Sequence, residues 1–361
     1  MPITYLKRAE IDSLKWDKCV NFHLINSAVF AQHWFLDGCC ERWDAVVVGD
    51  YQAVLPLPIR RKWGVDYVYP PFFAFRLGFF GKELTQKEMD EALDLVAKKF
   101  KWADMFFSAD IQYKKGNIIP HRTYLLDLQA DYETVRKNYH ESHRRNCKKG
   151  KEENHRIVFD ADPQEIINLF RNNRGKEASV GYKASDYEAL LHIVSLLRTQ
   201  KAVEIAGVRN EDGVLCAGAF FPFWDGKYSF LFSGRNSDKQ SRSLYFLIDD
   251  FIVRHAGEAR FLDFNGSDNP AIARFYAGFG AKEMLFTQLT INQLGLLQRG
   301  ALLFKRMLNF RLSQLKSKTH LKCAYSKSDG RKKKMLRVLL ILSFIFKGTS
   351  KNSFFQFNFS K

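Results

Sequence analysis

The sequence predicts an α/β fold, an α+β mixed sheet with helices laid against it, built in two tandem copies and followed by a basic tail. Three observations predict it. An order of three strands, a helix and a strand occurs twice along the chain. The antiparallel run followed by a helical crossover calls for a mixed sheet. A 361-residue chain that is 46% hydrophobic exceeds what one core usually holds.

In the first copy, residues 44–48, a turn at Gly49 and Asp50, residues 51–59, Trp63 with Gly64, and residues 65–69 read as three strands joined by tight turns. Residues 87–100 form an amphipathic helix leading to a strand at 105–108. Between the copies lie helical segments at 132–153, 163–172 and 185–199, with a short strand at 156–159, and Ser185 followed by Asp186 suits an N-cap. The loop 173–183, NRGKEASVGYK, is polar, bears glycine and is long enough for a lid, so Arg174, Lys176 and Tyr182 are candidate substrate-binding residues.

The second copy repeats the order with strands at 203–208, 214–223 and 227–233, a helix at 243–255 and a strand at 261. That last strand opens the most informative stretch, FLDFNGSDNPAIARFYAGFGA at 261–281. Phe261, Leu262 and Phe264 are the apolar run, Asn265 to Asp268 supply turn chemistry, and Asn269 with Pro270 marks an N-cap and first helical position. Ile272, Phe275, Tyr276 and Phe279 then recur at spacings of three and four, which turns one helix face inward and places Tyr276 on it. Gly278 and Gly280 end the helix.

The formal charge of +17 is not spread evenly. Residues 296–361 hold 16 Lys or Arg against one acid, Asp329, and the other 295 residues carry 40 basic and 38 acidic side chains, hence +2. The basic character belongs to a tail, which weakens a general case for nucleic-acid binding. Leu303, Met307, Phe310 and Leu315 among Arg299, Lys305, Arg306 and Arg311 suit an amphipathic helix on an anionic membrane surface, as does RKKK at 331–334 beside the short apolar tract 335–346. The basic run around Arg144, Arg145, Lys148 and Lys149 reads first as a solvated helix face.

Six cysteines show no CxxC pair and no His spacing suited to a metal, which fits a reduced compartment. The N-terminus is charged and has no apolar h-region, so the expected location is cytoplasmic, with peripheral contact at the inner membrane face through the tail. The expected organisation is 1–125, 126–295 and 296–361.

The order of elements in the second half, and above all NPAIARFYAGFGA at 269–281, resembles the GNAT acyltransferase superfamily, in which an asparagine opens the helix after the fifth strand and a tyrosine follows seven residues later. Asn269 and Tyr276 keep that spacing. The doubled unit, with ESHRRNCKKGKE before the second copy and LDFNGS within it, is similar to the tandem-GNAT branch that includes the FemABX peptidyltransferases. The resemblance covers residues 3–292. It implies two GNAT-like domains, the second catalytic and the first structural or substrate-binding.

The resemblance also implies roles. Acyl transfer from a thioester to an amine needs a free amine, a donor at the carbonyl oxygen and an acid for the leaving group. By its place in the family Tyr276 is the candidate general acid, the bland alternative being a core aromatic. Asp263, at the end of the fifth strand, and Glu204, among apolar strand neighbours that would raise its pKa, are candidate bases. The donor, acyl-CoA and in the first place acetyl-CoA, would set its phosphates in the loop before the last long helix, which points to Ser233, Gly234, Arg235, Arg242, Ser243 and Leu244, with Lys239 adding charge and Asn269 nearby. That loop lacks the family's usual glycines after Gly234, a departure that puts coenzyme A binding in question. The expected acceptor is an amine-bearing small molecule or cell-envelope precursor. The alternatives are a FemABX-type transferase fed by aminoacyl-tRNA, which is not favoured because that group's helical arm is not evident, and a non-catalytic module docked on membrane by its tail. Any enzymatic reading requires two strands of the second copy to part and leave the phenol within reach.

Overall fold

A computed structural model describes residues 1–295 apart from 23–27, 63, 75, 109, 160, 178–179, 239–240 and 267. The expected membrane-surface helix of the tail, together with Trp63, Lys239 and Ser267, lies outside the described residues.

The first repeat comprises β1 (Ile3–Lys7), α1 (Ser13–Asn21), α2 (His33–Cys39), β2 (Arg42–Val48), β3 (Ala53–Lys62), β4 (Val65–Val68), β5 (Phe80–Gly81), α3 (Gln86–Lys99), β6 (Trp102–Phe107) and β7 (Asn117–Asp127). Then come α4 (Tyr132–Lys137), α5 (Glu141–Glu152), β8 (Arg156–Val158), α6 (Pro163–Asn172) and α7 (Ala184–Thr199). The second repeat follows as β9 (Val203–Arg209), β10 (Leu215–Trp224), β11 (Lys227–Ser229), β12 (Phe232–Arg235), α8 (Ser243–His255), β13 (Phe261–Asp263), α9 (Pro270–Ala277) and β14 (Lys282–Asn292).

Three local expectations are corrected. The helical stretch at 132–153 breaks at 138–140, where the His140 N–H donates to Gly278 O and leaves the helical ladder. Lys183, not Ser185, is the N-cap of α7, and Asp186 reaches back to the Lys183 N–H at 2.7 Å. The strand expected at 227–233 is interrupted and forms β11 and β12.

The strands form one mixed sheet in the order β1-β2-β3-β4-β6-β14-β7-β13-β11-β10-β9-β8, with β5 on β3 and β12 on β10. At its centre the repeats exchange their last strands. β7 of the first repeat pairs with β13 of the second, β14 of the second pairs with β6 of the first, and β7 and β14 pair with each other from Lys282↔Leu125 to Thr290↔Asn117. The expected boundary at 125/126 therefore falls inside β7, and Met1–Gln293 cluster as one unit.

Helices cover the sheet through separate apolar clusters. In the first repeat α3 turns Ala92, Leu93, Val96 and Ala97 onto the strands, with a Thr85–Glu88 capping box fixing its start. In the second, α8 buries Leu247, Ile248, Phe251 and Ile252, and Phe251 stacks on Phe221 at 4.1 Å. Each such phenyl contributes roughly 2–3 kcal/mol by burial. On the opposite face α6 seats on Gly218 and Gly234, which are direct partners in the β10–β12 ladder. A Cβ at Gly234 would collide with Ile166 O of α6, so this glycine is required by helix packing, whatever else it does.

Candidate active site

The site begins with a β-bulge. β11 and β13 run parallel with Lys227, Tyr228 and Ser229 opposite Phe261, Leu262 and Asp263, and the Phe230 N–H adds one bond to Asp263 O at 2.7 Å. Phe230 packs on the α8 face, whereas Leu231 and Phe232 both pack on the α6 face, so one extra residue breaks the alternation. Beyond the bulge β12 follows β10, while Phe264 turns toward β7 and donates to Tyr124 O. The two neighbouring strands thus splay apart, which is the first half of what the enzymatic reading requires; the second half, a phenol within reach, is not met in this state, because protein encloses the Tyr276 hydroxyl.

Tyr276 stands at that splay. Its helix is started as expected, with the Asn269 side chain accepting from the N–H groups of Ala271 and Ile272 and Pro270 in the first turn. The Tyr276 ring stacks on Phe264 at 4.6 Å and meets the edge of Phe230 at 6.1 Å. The residue keeps part of its surface open, while protein crowds its hydroxyl. Burial pushes the phenol pKa well above its ordinary value, with Arg174 opposing and Tyr182 and Asp263 adding to the rise. The phenol holds its proton at neutral pH, as an ordinary tyrosine does, and the rise makes it a weaker acid in this closed state than a free phenol. α9 is held from α5: His143 Nε2–H donates to Phe275 O at 2.9 Å, and its ring lies flat against Gly278.

Arg174 and Tyr182 of the 173–183 loop and Asp263 at the end of β13 all act electrostatically on the Tyr276 hydroxyl. Tyr182 lies among Phe72, Phe73 and Phe170, and burial raises its pKa to about 12. Arg174 begins a single 3-10 turn whose Lys176 is exposed and stands apart from the group.

Asp263 is almost wholly buried and its oxygens are occupied. Oδ1 accepts from Thr123 Oγ1 at 2.7 Å and from the Asn265 N–H at 2.8 Å, and Oδ2 pairs with the Arg76 guanidinium. Arg76 also donates to Asn265 Oδ1 at 2.9 Å and lies over the Phe286 ring. Asn265 has a φ of 62°, a left-handed conformation this side-chain bond helps to hold. A shallow recess lined by Arg76, Ser108, Thr123, Asp263, Met284 and Phe286 opens beside the pair. The same turn is anchored at its far end, where Asp268 Oδ2 meets His121 Nδ1 at 2.6 Å and His121 Nε2 meets Gln288 Oε1 at 3.0 Å.

Glu204 does not join this group. It binds Arg254 at 2.7 Å and His255 at 2.9 Å, at the C-terminal end of α8, roughly 18 Å along the helix from Ser243. The expected rise in its pKa is corrected: burial acts to raise it, but the hydrogen bonds from His255 and Arg254 outweigh burial and hold it below the ordinary glutamate range. Glu204 serves as an ion-pair partner for the end of α8.

The start of α8 is engaged from within the chain. The Arg242 N–H donates to both oxygens of Glu153 at 2.9 and 3.2 Å, Arg242 Nε donates to Asn146 Oδ1 at 2.9 Å, and the Ser243 N–H donates to Ser241 Oγ at 3.3 Å. Arg235 turns to the carbonyls of Asn236 and Asp238, Ser233 sits opposite Ala219 in the ladder, and Leu244 packs against the α8 core. Among the described residues, the Arg242 and Ser243 amides are thus taken by the chain's own side chains, an arrangement that does not fit a pyrophosphate on those two amides.

Several members of the group were missed by sequence reasoning. Arg76 and Phe73 come from the aromatic run before β5, and Thr123 from the exchanged strand β7; none lies near the second repeat in the chain. The only local signal is a single cation, Arg76, in YPPFFAFRLGFF at 69–80.

No family model and no curated protein matches the chain. Among solved structures, FemX aligns over 80% of this chain and 97% of its own at 12% identity, with a TM-score of 0.57. The fold is FemX-like. A conserved protein of unknown function from Bacteroides thetaiotaomicron aligns over 80% of this chain and 99% of its own at 8% identity, with a TM-score of 0.53. The FemX-like fold agrees with the FemABX-type resemblance read from the sequence. No helix among the described residues is long and apolar enough to cross a membrane.

Proposed function

We propose that the chain is an acyltransferase that moves an acyl or aminoacyl group from a thioester or ester donor to an amine, with the chemistry at the splay of the second repeat. The observation that carries this reading is the place of Tyr276, its ring stacked on Phe264 and edge-on to Phe230 where β12 and β13 part. The amine attacks the donor carbonyl carbon, the new C–N bond forms, and the carbonyl oxygen takes the negative charge. As the intermediate collapses, the C–S or C–O bond breaks and the leaving group takes the Tyr276 proton. The surplus proton of the former amine restores the phenol, so atoms and charge balance without a second acid. Arg174, which acts on the phenol and lies 3.9 Å from Glu177, is the cation we assign to the developing oxyanion. Asp263, with its oxygens engaged, serves to hold Arg76 and the Asn265 turn instead of acting as the base.

The FemABX resemblance makes a cell-envelope precursor the first class of acceptor to assay. Acetyl-CoA and aminoacyl-tRNA are the donors to compare. Tyr276→Phe keeps the ring on Phe264 and removes only the hydroxyl, so it should lower turnover about 100-fold or more with an unchanged melting temperature. Unchanged turnover in that variant removes the assigned role.

A further inference from the structure

We propose that Glu153 is a resident anion that occupies the phosphate seat at the start of α8 and so selects against donors, coenzyme A thioesters among them, whose phosphates would dock there. The inference rests on the second repeat being the donor-binding one. A helix start attracts anions because its first N–H groups lack partners and its dipole is positive there. In this chain the Arg242 N–H already meets a carboxylate with both oxygens in reach, and that carboxylate is supplied by the C-cap of α5.

The delivery is built into the fold. α5 lies directly on α8: a Cβ at Gly150 would meet Arg242 O and Phe246 Cβ at 2.9 Å each, so only a glycine lets the two helices approach this closely. Asn146, one turn earlier, holds the Arg242 guanidinium, which keeps that cation turned to α5. His155 Nδ1 lies 3.3 Å from Glu153 Oε2. Glu153 therefore acts in two ways: it takes the amide that an incoming phosphate would use, and its charge repels a second anion. The missing glycines of the 233–246 loop fit the same picture, since a loop that cradles no phosphate needs no close backbone approach.

The test is calorimetric binding of coenzyme A, and separately of inorganic pyrophosphate, to the full chain and to Glu153→Gln and Glu153→Ala. Glu153→Gln removes the charge but keeps an oxygen for the Arg242 N–H; Glu153→Ala removes both. Each probe should bind the Gln variant about 10-fold more tightly than the parent, and the Ala variant more tightly still, the size expected for releasing one charge-assisted hydrogen bond. Glu153 is partly exposed and ends a helix, so both variants should melt within a few degrees of the parent. Equal affinity of parent and variants, whether all tight or all weak, overturns the proposal. The binding readout does not depend on turnover: loss of transfer in Tyr276→Phe bears on the enzymatic reading alone, and a flat Glu153 series bears on the donor seat alone.

Discussion

Replacing Arg76 with Met isolates one buried ion pair between the repeats. The Arg76 side chain is 11% exposed and that of Asp263 is 1%, so the pair is shielded from water and from salt. Removing one partner of such a pair leaves an uncompensated buried charge and costs about 3–5 kcal/mol. Two effects adjust that figure. Asp263 retains its bonds from Thr123 and the Asn265 N–H, which lowers it, and the guanidinium loses the Asn265 carboxamide and the Phe286 face, the latter about 0.5–1 kcal/mol. A net loss of about 3–4 kcal/mol is expected. Urea denaturation at neutral pH, following tryptophan fluorescence, measures it. Arg76→Met combined with Asp263→Asn removes the orphaned charge, and the double variant should recover at least half of the loss. A single-variant cost below about 1 kcal/mol, or strict additivity in the double variant, refutes the claim that the pair is buried and coupled.

Two further outcomes follow from the same geometry. Glu204 is held below its ordinary pKa in the folded state, so it contributes stability that is present above the unfolded glutamate value of about 4.3 and is lost as pH falls through the lower folded value. Glu204→Gln should therefore flatten the acid limb of the stability–pH curve below about pH 4.5 and leave turnover intact; a collapse of turnover would restore Glu204 as a base. Gly278→Ala would drive a Cβ into the His143 ring and push α9 off α5, costing about 1–3 kcal/mol in urea denaturation and lowering turnover by displacing Tyr276. A Gly278→Ala variant as stable as the parent would show that α9 has room to shift.

Local chemistry was legible without coordinates. The apolar periods and end signals of 163–172 and 243–255 match α6 and α8 at both ends, and Asn269 with Pro270 starts α9 as its sequence predicts. Each of these depends on residues within a few positions of one another, where caps, proline and helical spacing act. Glu204 failed for the opposite reason: its apolar strand neighbours indicate burial, but Arg254 and His255, which reverse the sign of the shift, lie some fifty residues away.

The sequence by itself determined the recurring order of strands, helix and strand in the two repeats, the cap and tyrosine of α9, and the position of the basic charge along the chain. The tertiary structure alone decided the exchange of β7 and β14, the bulge that parts β12 from β13, the delivery of Arg76 and Thr123 to Asp263, and the placing of Glu153 on α8. Strand pairing and ion pairing join residues whose separation in sequence carries no periodic signal. Which partners meet is set by how helices and strands of both repeats pack at once, and only the assembled sheet contains that information.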